Sequence, residues 1–414
     1  MTSVLPIINR YLLVLSVLVL LINSYEITFL VWSITAFISF RSKYSVQISK
    51  LIFVFSVIMV VALFSSFFSN FKNYNFIRDV AYLLKPILGL LIGYNFCKSA
   101  GQNAIKTIIY VGVALAVAHI LTIMIYYVFF GIKSFNALRH HGGYFDDYEV
   151  YILILLLFHK KFEINIDKKI LYLCTLVLSI STILYFARTN ILQFIILFLA
   201  LKGYFKITTR GIKNLLFILL IGGLSYAAIY YSNPRRNSKG IESFFYKIKI
   251  APIEAFKTKI NQEDWKEFND NYRSFENIIT VRQVTHDGWF KIIFGKGLGS
   301  TVDIGREMWT NDGEFIRYVP ALHNAYMTLF LKSGLIGVFL LIYSMFIIGR
   351  RSKAETELVQ TINNLLVGSA IFLILSNWVF MGLYLKLDNK SIFIGFLICY
   401  KELILKRSQK EELR

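Results

Sequence analysis

The chain has 414 residues, of which 56% are apolar and 17% are charged, and its mean hydropathy is +0.57. Soluble domains carry about 25% charged residues, so this composition excludes an ordinary soluble protein and predicts an all-α polytopic membrane protein. The formal net charge of +20 raises the question of a nucleic-acid partner, but the placement of the cations predicts none.

Twelve apolar segments follow one another along the chain. Each is long enough to cross a bilayer if short or tilted helices are allowed. They occupy residues 5–22, 27–40, 50–68, 80–96, 107–130, 145–158, 169–187, 189–201, 214–232, 325–349, 357–380 and 391–405. The first segment has no small-residue cleavage site after it, so we expect an uncleaved helix. The three cysteines fall in or beside apolar segments, which indicates no disulfide framework.

The lysines and arginines divide unequally between alternate connections. The connections on one side, with the C-terminal tail, carry 21 of them, against 7 in the short connections on the opposite side. Positive charge accumulates on the cytoplasmic side of membrane proteins, so both termini are predicted to be cytoplasmic. Most of the basicity therefore marks topology.

One connection is much longer than the others. Residues 1–232 hold the first nine segments, residues 233–322 form a large external loop, and residues 323–414 hold the last three segments and a cytoplasmic tail. Apolar residues recur at roughly helical spacing in the middle of this loop, which predicts helices lying against the membrane face. We therefore expect one large external helical loop.

The stretch 170–201 contains a single charged residue, Arg188. One helix of this length would measure about 48 Å, well beyond a hydrocarbon core of about 30 Å. We therefore predict a tight hairpin with Arg188 at its external tip. An arginine that snorkels to a lipid phosphate would also explain this position.

Four of the ionisable residues on the predicted external side form a candidate set, namely Arg139, Arg188, Arg282 and His323. Taken singly, His323 also fits a helix cap at the interface, and Arg282 also fits a solvated helix face. Together with Arg139 and Arg188 they give three cations and one titratable base. Arginine binds phosphate oxygens in bidentate fashion, and a histidine can take a proton from an attacking hydroxyl. The set predicts a site for an anionic head group carried on a lipid.

Four further features have simpler interpretations. The cluster RHHGGYFDDYE, residues 139–149, lacks metal-ligand spacing at its paired aspartates, so we expect a loop held by charge pairs and no metal site. The GKGLG sequence at residues 295–299 has no strand before it and is interpreted as a turn. Lys85 is expected to snorkel outward, and His119 is expected to be a hydrogen-bonded core residue.

Three motifs follow in order along the second half of the chain. YFARTNIL contains Arg188, VRQVTHDGWFKIIFGKGLG contains Arg282 and ends in a glycine-rich turn, and HNAYMTLFLKSGLIG reads H-N-x9-G-x2-G from His323. This series resembles the arginine-containing hairpin tip, the second arginine segment and the histidine signature of the bacterial O-antigen polymerase and O-antigen ligase superfamily. The resemblance covers about residues 170–345, whereas residues 1–165 agree only in helix count and orientation.

The resemblance implies a C-type membrane glycosyltransferase of about twelve transmembrane helices in a bacterial inner membrane. It would use a polyprenyl-pyrophosphate-linked glycan donor on the periplasmic face, without a metal or other cofactor. Arg188 and Arg282, with Arg139, would bind the substrate pyrophosphate. His323 would be the base or would position the acceptor. Asn324 would belong to the substrate-binding site and would orient the histidine. The first external connection, NSYE, also has too few carboxylates for the divalent-metal site of other C-type transferases.

Three functions remain open on these motifs. A polymerase transfers the glycan to the next lipid-linked repeat unit, and a ligase transfers it to lipid A core. The loop RHHGGYFDDYE resembles that of polymerases, in which an arginine precedes Gly-x-Phe, and this favours a polymerase. A chain-length regulator protein is a further partner that the resemblance allows. A flippase or other transporter would bind lipid-linked glycan near the bilayer midplane and often shows repeated halves. Few mid-segment ionisable residues and no repeat are found, which favours a transferase.

Overall fold

The computed structural model describes residues 4–69, 72–101, 104–143, 146–205, 209–236, 238, 241–309, 315–353, 356–385 and 389–412. The helices are α1 (Val4–Leu18), α2 (Tyr25–Ile38), α3 (Val46–Ser66), α4 (Asn73–Ala100), α5 (Ala104–Val128), α6 (Phe135–Gly142), α7 (Asp147–Leu157), α8 (Lys168–Leu184), α9 (Arg188–Leu201), α10 (Thr209–Tyr231), α11 (Ile241–Phe256), α12 (Trp265–Asp270), α13 (Tyr272–His286), α14 (Trp289–Phe294), α15 (Ala325–Ile348), α16 (Glu357–Phe380) and α17 (Lys390–Glu412). The strands β1 (Val302–Trp309) and β2 (Phe315–Val319) form an antiparallel pair.

Each of the twelve predicted apolar segments coincides with a helix. Five of the described helices, α3, α4, α5, α15 and α16, are long and apolar enough to cross a membrane. The others are shorter or less apolar; α7, for example, has 11 residues, whereas a perpendicular span needs about 20. The structure therefore agrees with an all-α membrane protein and gives fewer full-length spans than the twelve predicted.

The connections between the helices are grouped at the two ends of the bundle. At one end the Gln47 side chain donates to the Ile347 carbonyl (2.8 Å), and Arg351 donates to the Phe205 carbonyl (3.2 Å). These contacts join connections that were predicted to be cytoplasmic. The connections predicted to be external meet around a cavity at the opposite end. The grouping is the one expected if the chain crosses a bilayer back and forth.

The predicted hairpin around Arg188 is confirmed. At the end of α8, Tyr185 donates to Glu149 near the start of α7 (3.2 Å). Near the end of α9, the Phe198 ring packs on Phe158, just after α7, with centroids 5.4 Å apart. The chain therefore reverses between α8 and α9, and α9 runs in the same direction as α7.

The helix α15 is interrupted at Gly334, where φ is +66°. An interruption frees backbone carbonyls, which need partners inside a membrane. The GKGLG sequence supplies them, because the Lys296 N–H donates to the Leu331 carbonyl (2.7 Å) and the Gly297 N–H donates to the Lys332 carbonyl (3.1 Å). The turn interpretation is confirmed, and the tenth predicted segment is one candidate span, α15, that contains a kink at Gly334.

A buried ion pair lies beside this interruption. Lys332 and Asp79 of α4 are 1% and 3% exposed, and their charged atoms are 2.5 Å apart. Lys332 also donates to the Ser300 carbonyl, and the Gly299 N–H donates to Asp79 (2.7 Å). Since a buried charge is tolerated only with such partners, the pair ties α4 and α15 to the turn at residues 295–300.

Glycines allow α4 and α17 to pack closely. A Cβ added to Gly93 would lie 1.8 Å from the Ile392 carbonyl oxygen, and one added to Gly395 would lie 2.2 Å from that of Leu90. Gly89, four residues before Gly93, also faces α17, where an added Cβ would lie 2.0 Å from the Ser391 hydroxyl oxygen. Small residues at this spacing let membrane helices approach backbone to backbone.

Lys85 lies inside the bundle, where it is 6% exposed. Its ammonium donates to the Leu385 carbonyl (2.7 Å) and lies 5.3 Å from the centre of the Trp32 ring. The prediction that Lys85 snorkels outward is wrong, because a backbone carbonyl and an aromatic face within the protein satisfy the charge.

The large loop is helical only in part. The helices α11 to α14 agree with the prediction, whereas β1 and β2 were not expected. Val302 and Ile304 of β1 point inward onto an apolar cluster that contains Phe275 of α13 and Phe330 of α15. The alternation of buried and exposed residues in β1 is short and interrupted by a bulge, which conceals the period of two that marks a strand.

Candidate functional site

A cavity of about 1600 Å³ lies at the end of the bundle where the predicted external connections meet. Its wall includes Asn23 after α1, Arg139 of α6, Phe186 between α8 and α9, His323 before α15, and Met381 after α16. Five connections assigned to one side of the membrane from the sequence therefore contribute to a single cavity.

Positive charge is concentrated in this wall. The cationic residues that line the cavity are Lys133, Arg139, Arg188, Lys247 and Arg273. An Nη1 atom of Arg188 donates to the Lys247 carbonyl at 2.5 Å. Arg188 also experiences the charges of Arg273, Arg139 and the carboxylate of Glu254. These side chains, from α6, α9, α11 and α13, thus form one electrostatic cluster.

The cluster changes the proton affinity of one of its members. Burial by the cavity wall, and then the positive charges of Arg188 and Arg139, lower the pKa of the Lys247 ammonium. Glu254 acts in the opposite direction on Lys247, and it lies 3.6 Å from Arg273. Because cations outnumber the carboxylates that line the cavity, the electrostatic potential favours an anionic ligand.

The helix α9 begins within the cavity wall. Its N-cap, Ala187, has no side chain that could accept from the first N–H groups of the helix, and Ala187, Arg188 and Thr189 all line the cavity. Unpaired N–H groups and the helix dipole favour anions at such a terminus. The Arg188 guanidinium and the start of its own helix can therefore act on the same anion.

His323 lies in the wall of the same cavity, and its side chain is 53% exposed. Its Nδ1 atom is 2.9 Å from Oε2 of Glu276 on α13, and this oxygen also accepts from the His323 backbone N–H at 3.1 Å. The Tyr272 ring stands edge-on to the imidazole, with centroids 5.9 Å apart. The Nε2 atom has no hydrogen-bond partner in the described part of the chain and remains available to a ligand.

Arg282 is not brought to the cavity. It lies on the exposed face of α13, whereas Arg273 of the same helix lines the wall. Residues of an α-helix advance by about 100° each, so Arg282, nine positions after Arg273, points to the opposite side. Arg273, and not Arg282, is therefore the arginine of α13 that lies in the cavity wall.

Asn324 has a structural role. It is 2% exposed, and its side chain accepts from the N–H groups of Tyr326 (2.9 Å) and Met327 (3.3 Å), which makes it the N-cap of α15. The contacts with His323 are made by Glu276 instead. The interpretation of Asn324 as the residue that orients the histidine is therefore corrected.

The cluster RHHGGYFDDYE was predicted to be held by charge pairs, and its described residues form one such pair and one helix cap. Asp146 caps α7 by accepting a backbone N–H at 3.0 Å, and Asp147 forms a buried ion pair with Lys390 of α17. Within the described ranges, no three His, Cys, Asp or Glu side chains are grouped as metal ligands. Tyr144 and Phe145, on which the likeness to polymerase loops depends, lie outside the described residues.

His119 is hydrogen-bonded and buried, as predicted. Its Nδ1 atom is 2.8 Å from the Ser181 hydroxyl, and its ring stacks on Tyr185 with centroids 3.7 Å apart. Both rings form part of the cavity wall. The two stacked rings form the part of the wall near the start of α9.

Much of the remaining wall is apolar. It is formed by Leu20, Leu21, Leu115, Ile241, Phe244, Phe372, Leu375, Trp378, Val379 and Phe380. The cavity is larger than the roughly 300–1000 Å³ of sites for small molecules. The lining is suited to a ligand that combines an anionic group with apolar surface. No protein-family model, no curated protein and no solved structure matches this chain.

Sequence reasoning missed Lys247, Glu254, Arg273 and Glu276. A signal for them was present in the helical period, because Arg273 and Glu276 are three residues apart on α13. Lys247 and Glu254 are seven residues apart on α11, which is also a same-face spacing. Selecting the arginine by motif, instead of by helix face, led to Arg282.

Proposed function

We propose that this protein is a membrane glycosyltransferase that takes its glycan from a polyprenyl-pyrophosphate-linked donor and acts as a polymerase of lipid-linked repeat units. One observation carries the proposal: a single large cavity combines the cationic cluster, a histidine with an available ring nitrogen and an apolar wall. A lipid-linked pyrophosphate has the matching combination of charge and apolar surface.

In this proposal Arg188 and the start of α9 bind the pyrophosphate, together with Arg139, Lys247 and Arg273. The pyrophosphate leaves with the electron pair of the bond to the anomeric carbon, so its negative charge increases in the transition state. Cations and N–H groups held in place by the fold stabilise such developing charge without further reorganisation. Guanidinium groups suit the task because they pair with phosphate oxygens in bidentate fashion.

His323 would act as the general base. Its Nε2 atom would accept the proton of the acceptor hydroxyl while the hydroxyl oxygen attacks the anomeric carbon. The bond that forms is the new glycosidic bond, and the bond that breaks joins the sugar to the pyrophosphate. The apolar wall would hold the first part of the polyprenyl chain beside Trp378 and Phe372.

A transporter is the competing class, and the interruption of α15 favours it, because transporters bind substrates at discontinuous helices. In this protein, however, the freed carbonyls of Leu331 and Lys332 are already paired with the turn at residues 295–299. Gly334 is also absent from the cavity wall. The interruption thus serves packing, and the cavity fits transfer chemistry better.

The test uses purified protein in lipid bilayers with a polyprenyl-pyrophosphate-linked repeat unit, in parallel with and without a chelator. A ladder of longer lipid-linked glycans would support a polymerase, and its persistence with chelator would support metal-independent transfer. A product that forms only when lipid A core is added would indicate a ligase instead. Movement of the substrate across the bilayer without any transfer would replace the proposal with a flippase.

The variant His323→Ala completes this test. Loss of a general base lowers turnover by about a hundredfold or more, so the ladder should disappear while the thermal unfolding temperature stays close to that of the wild type. A ladder formed at the normal rate by folded His323→Ala protein would contradict the role of His323.

A further inference from the structure

Glu276 is an unusual carboxylate because it is almost completely buried, at 1% exposed, on a helix of the external part. Its ion-pair partner among the described residues is His323, whose side chain is half exposed. No lysine or arginine in the described ranges pairs with it. Burial of a carboxylate is costly unless hydrogen bonds to the charged form compensate for lost water.

The same carboxylate oxygen makes two contacts with one residue. It accepts the His323 backbone N–H at 3.1 Å and lies 2.9 Å from Nδ1 of the ring. The backbone contact fixes where the residue lies, and the ring contact fixes how the imidazole is turned. A carboxylate at Nδ1 requires a proton on that nitrogen, which leaves the lone pair on Nε2.

Tyr272 contacts both the imidazole and Glu276. It precedes Glu276 by one helical turn on α13, and its ring meets the imidazole edge-on. Burial, and then the negative charge of Glu276, raise the pKa of the Tyr272 phenol. Tyr272 therefore keeps its proton and adds no charge that would compete with Glu276 for the ring.

We propose that Glu276 is the positioning residue for His323, holding the imidazole as the Nδ1–H tautomer and stabilising the positive charge that it gains when Nε2 takes a proton. This inference rests on the proposed transferase function. It gives a reason for burying a charged group at this position, which side-chain packing alone does not explain. An apolar side chain would fill the space at lower cost, but it would leave the ring free to turn.

The test compares Glu276→Gln with the wild type in the glycan-transfer assay, using His323→Ala as the inactive reference. Glutamine keeps the shape, and its amide oxygen can still accept from the backbone N–H, but it cannot balance an imidazolium charge. We expect kcat to fall by at least about tenfold, as when other orienting carboxylates are neutralised, with KM within about twofold of the wild type. In a His323→Ala background, the same change should have no further effect on kcat.

Thr280→Val is the matched control. Thr280 is fully buried one turn further along α13, and its hydroxyl donates only to the Glu276 backbone carbonyl (2.7 Å). If Thr280→Val lowered kcat as much as Glu276→Gln, the effect would be one of helix packing and the inference would fail. Normal kcat in Glu276→Gln, with an inactive His323→Ala, would also overturn it while leaving the transferase function intact. If the wild type itself transferred no glycan, both proposals would fall.

Discussion

At the scale of single residues, the cationic cluster is assembled from positions far apart in the chain. Arg139, Arg188, Lys247 and Arg273 belong to four different helices, and each has a neighbour of the same charge. Like charges held close together repel each other. An anionic ligand removes that repulsion, so binding should depend on the charge and geometry of each member.

Within the cluster, Arg188 is held by the hydrogen bond from its guanidinium to the Lys247 carbonyl. Replacing it with lysine keeps the charge but removes the planar fork that binds two phosphate oxygens at once. We expect Arg188→Lys to lower kcat/KM for the lipid-linked donor by at least about tenfold, equivalent to about 1.4 kcal/mol of transition-state binding. Arg282→Lys is the matched control and should stay within about twofold of the wild type. Equal losses in the two variants would contradict the assignment of Arg188 and Arg273, instead of Arg282, to the site.

Lys247 should give the site a pH dependence. Because the pKa of its ammonium is lowered by burial and by Arg188 and Arg139, Lys247 loses its proton at a lower pH than an ordinary lysine. The neutral form attracts an anion less, so KM for the donor should rise as the pH is raised toward 10. In Lys247→Arg the charge persists over this range, and the rise should be absent. A rise of equal size in wild type and variant would show that another group is responsible.

At the scale of secondary-structure elements, the most demanding contact is that between α4 and α17. It depends on backbone approach at Gly93 and Gly395, and on the close approach of the Ser391 side chain to Gly89. Such contacts gain dispersion energy and need no polar side chains, which suits an apolar surrounding. A methyl group at one of these positions has no space unless the helices move apart.

Gly93→Ala should therefore destabilise the protein by about 1–3 kcal/mol, as overpacking does in other well-packed interiors. Gly222→Ala in α10 is the control, because a Cβ there meets no atom within 4 Å. Its expected effect is slight stabilisation, by about 0.5–1 kcal/mol, since alanine favours the helix. Thermal unfolding in detergent would measure both. A lower unfolding temperature for Gly222→Ala than for Gly93→Ala would contradict the packing described for α4 and α17.

At the scale of the whole molecule, the alternation of apolar segments and the distribution of charge predicted the helices and their grouping at two ends. These properties follow from local composition, which the sequence carries directly. The prediction failed where a polar group finds a partner remote in sequence. Lys85 is paired through Leu385 and Trp32, and Asn324 was assigned a role that Glu276 fills.

The candidate site shows the same division. Arg139, Arg188 and His323 were found because they stand out against apolar surroundings or a motif. Arg273 and Lys247 lie in a polar loop that contains many other charged residues. Only the helix face on which each lies distinguishes them from those residues. The interruption of α15 at Gly334 could not be inferred, since the turn that makes it tolerable comes at least 35 residues earlier in the chain.

The predicted orientation can be tested with cysteine labelling. Thr285, on α13, and Lys353, between α15 and α16, are both exposed, and the three native cysteines are buried. A membrane-impermeant maleimide should label Thr285→Cys in intact spheroplasts, and Lys353→Cys only after the membrane is permeabilised. This result follows from the accumulation of positive charge on the cytoplasmic side. The reverse labelling pattern would show that the orientation of the protein in the membrane is opposite to the predicted one.

The contacts of α4 have a consequence for the order of assembly during synthesis. Asp79 enters the membrane region with α4, yet its counter-charge, Lys332, is made some two hundred and fifty residues later. The groove formed by Gly89 and Gly93 remains open longer still, until α17 is translated. Until the last part of the chain is made, the early helices lack both the Lys332 ammonium and the surface of α17, and Asp79 has the adjacent Arg78 as its ion-pair partner. The interior of the bundle can therefore close only after α17 has been translated.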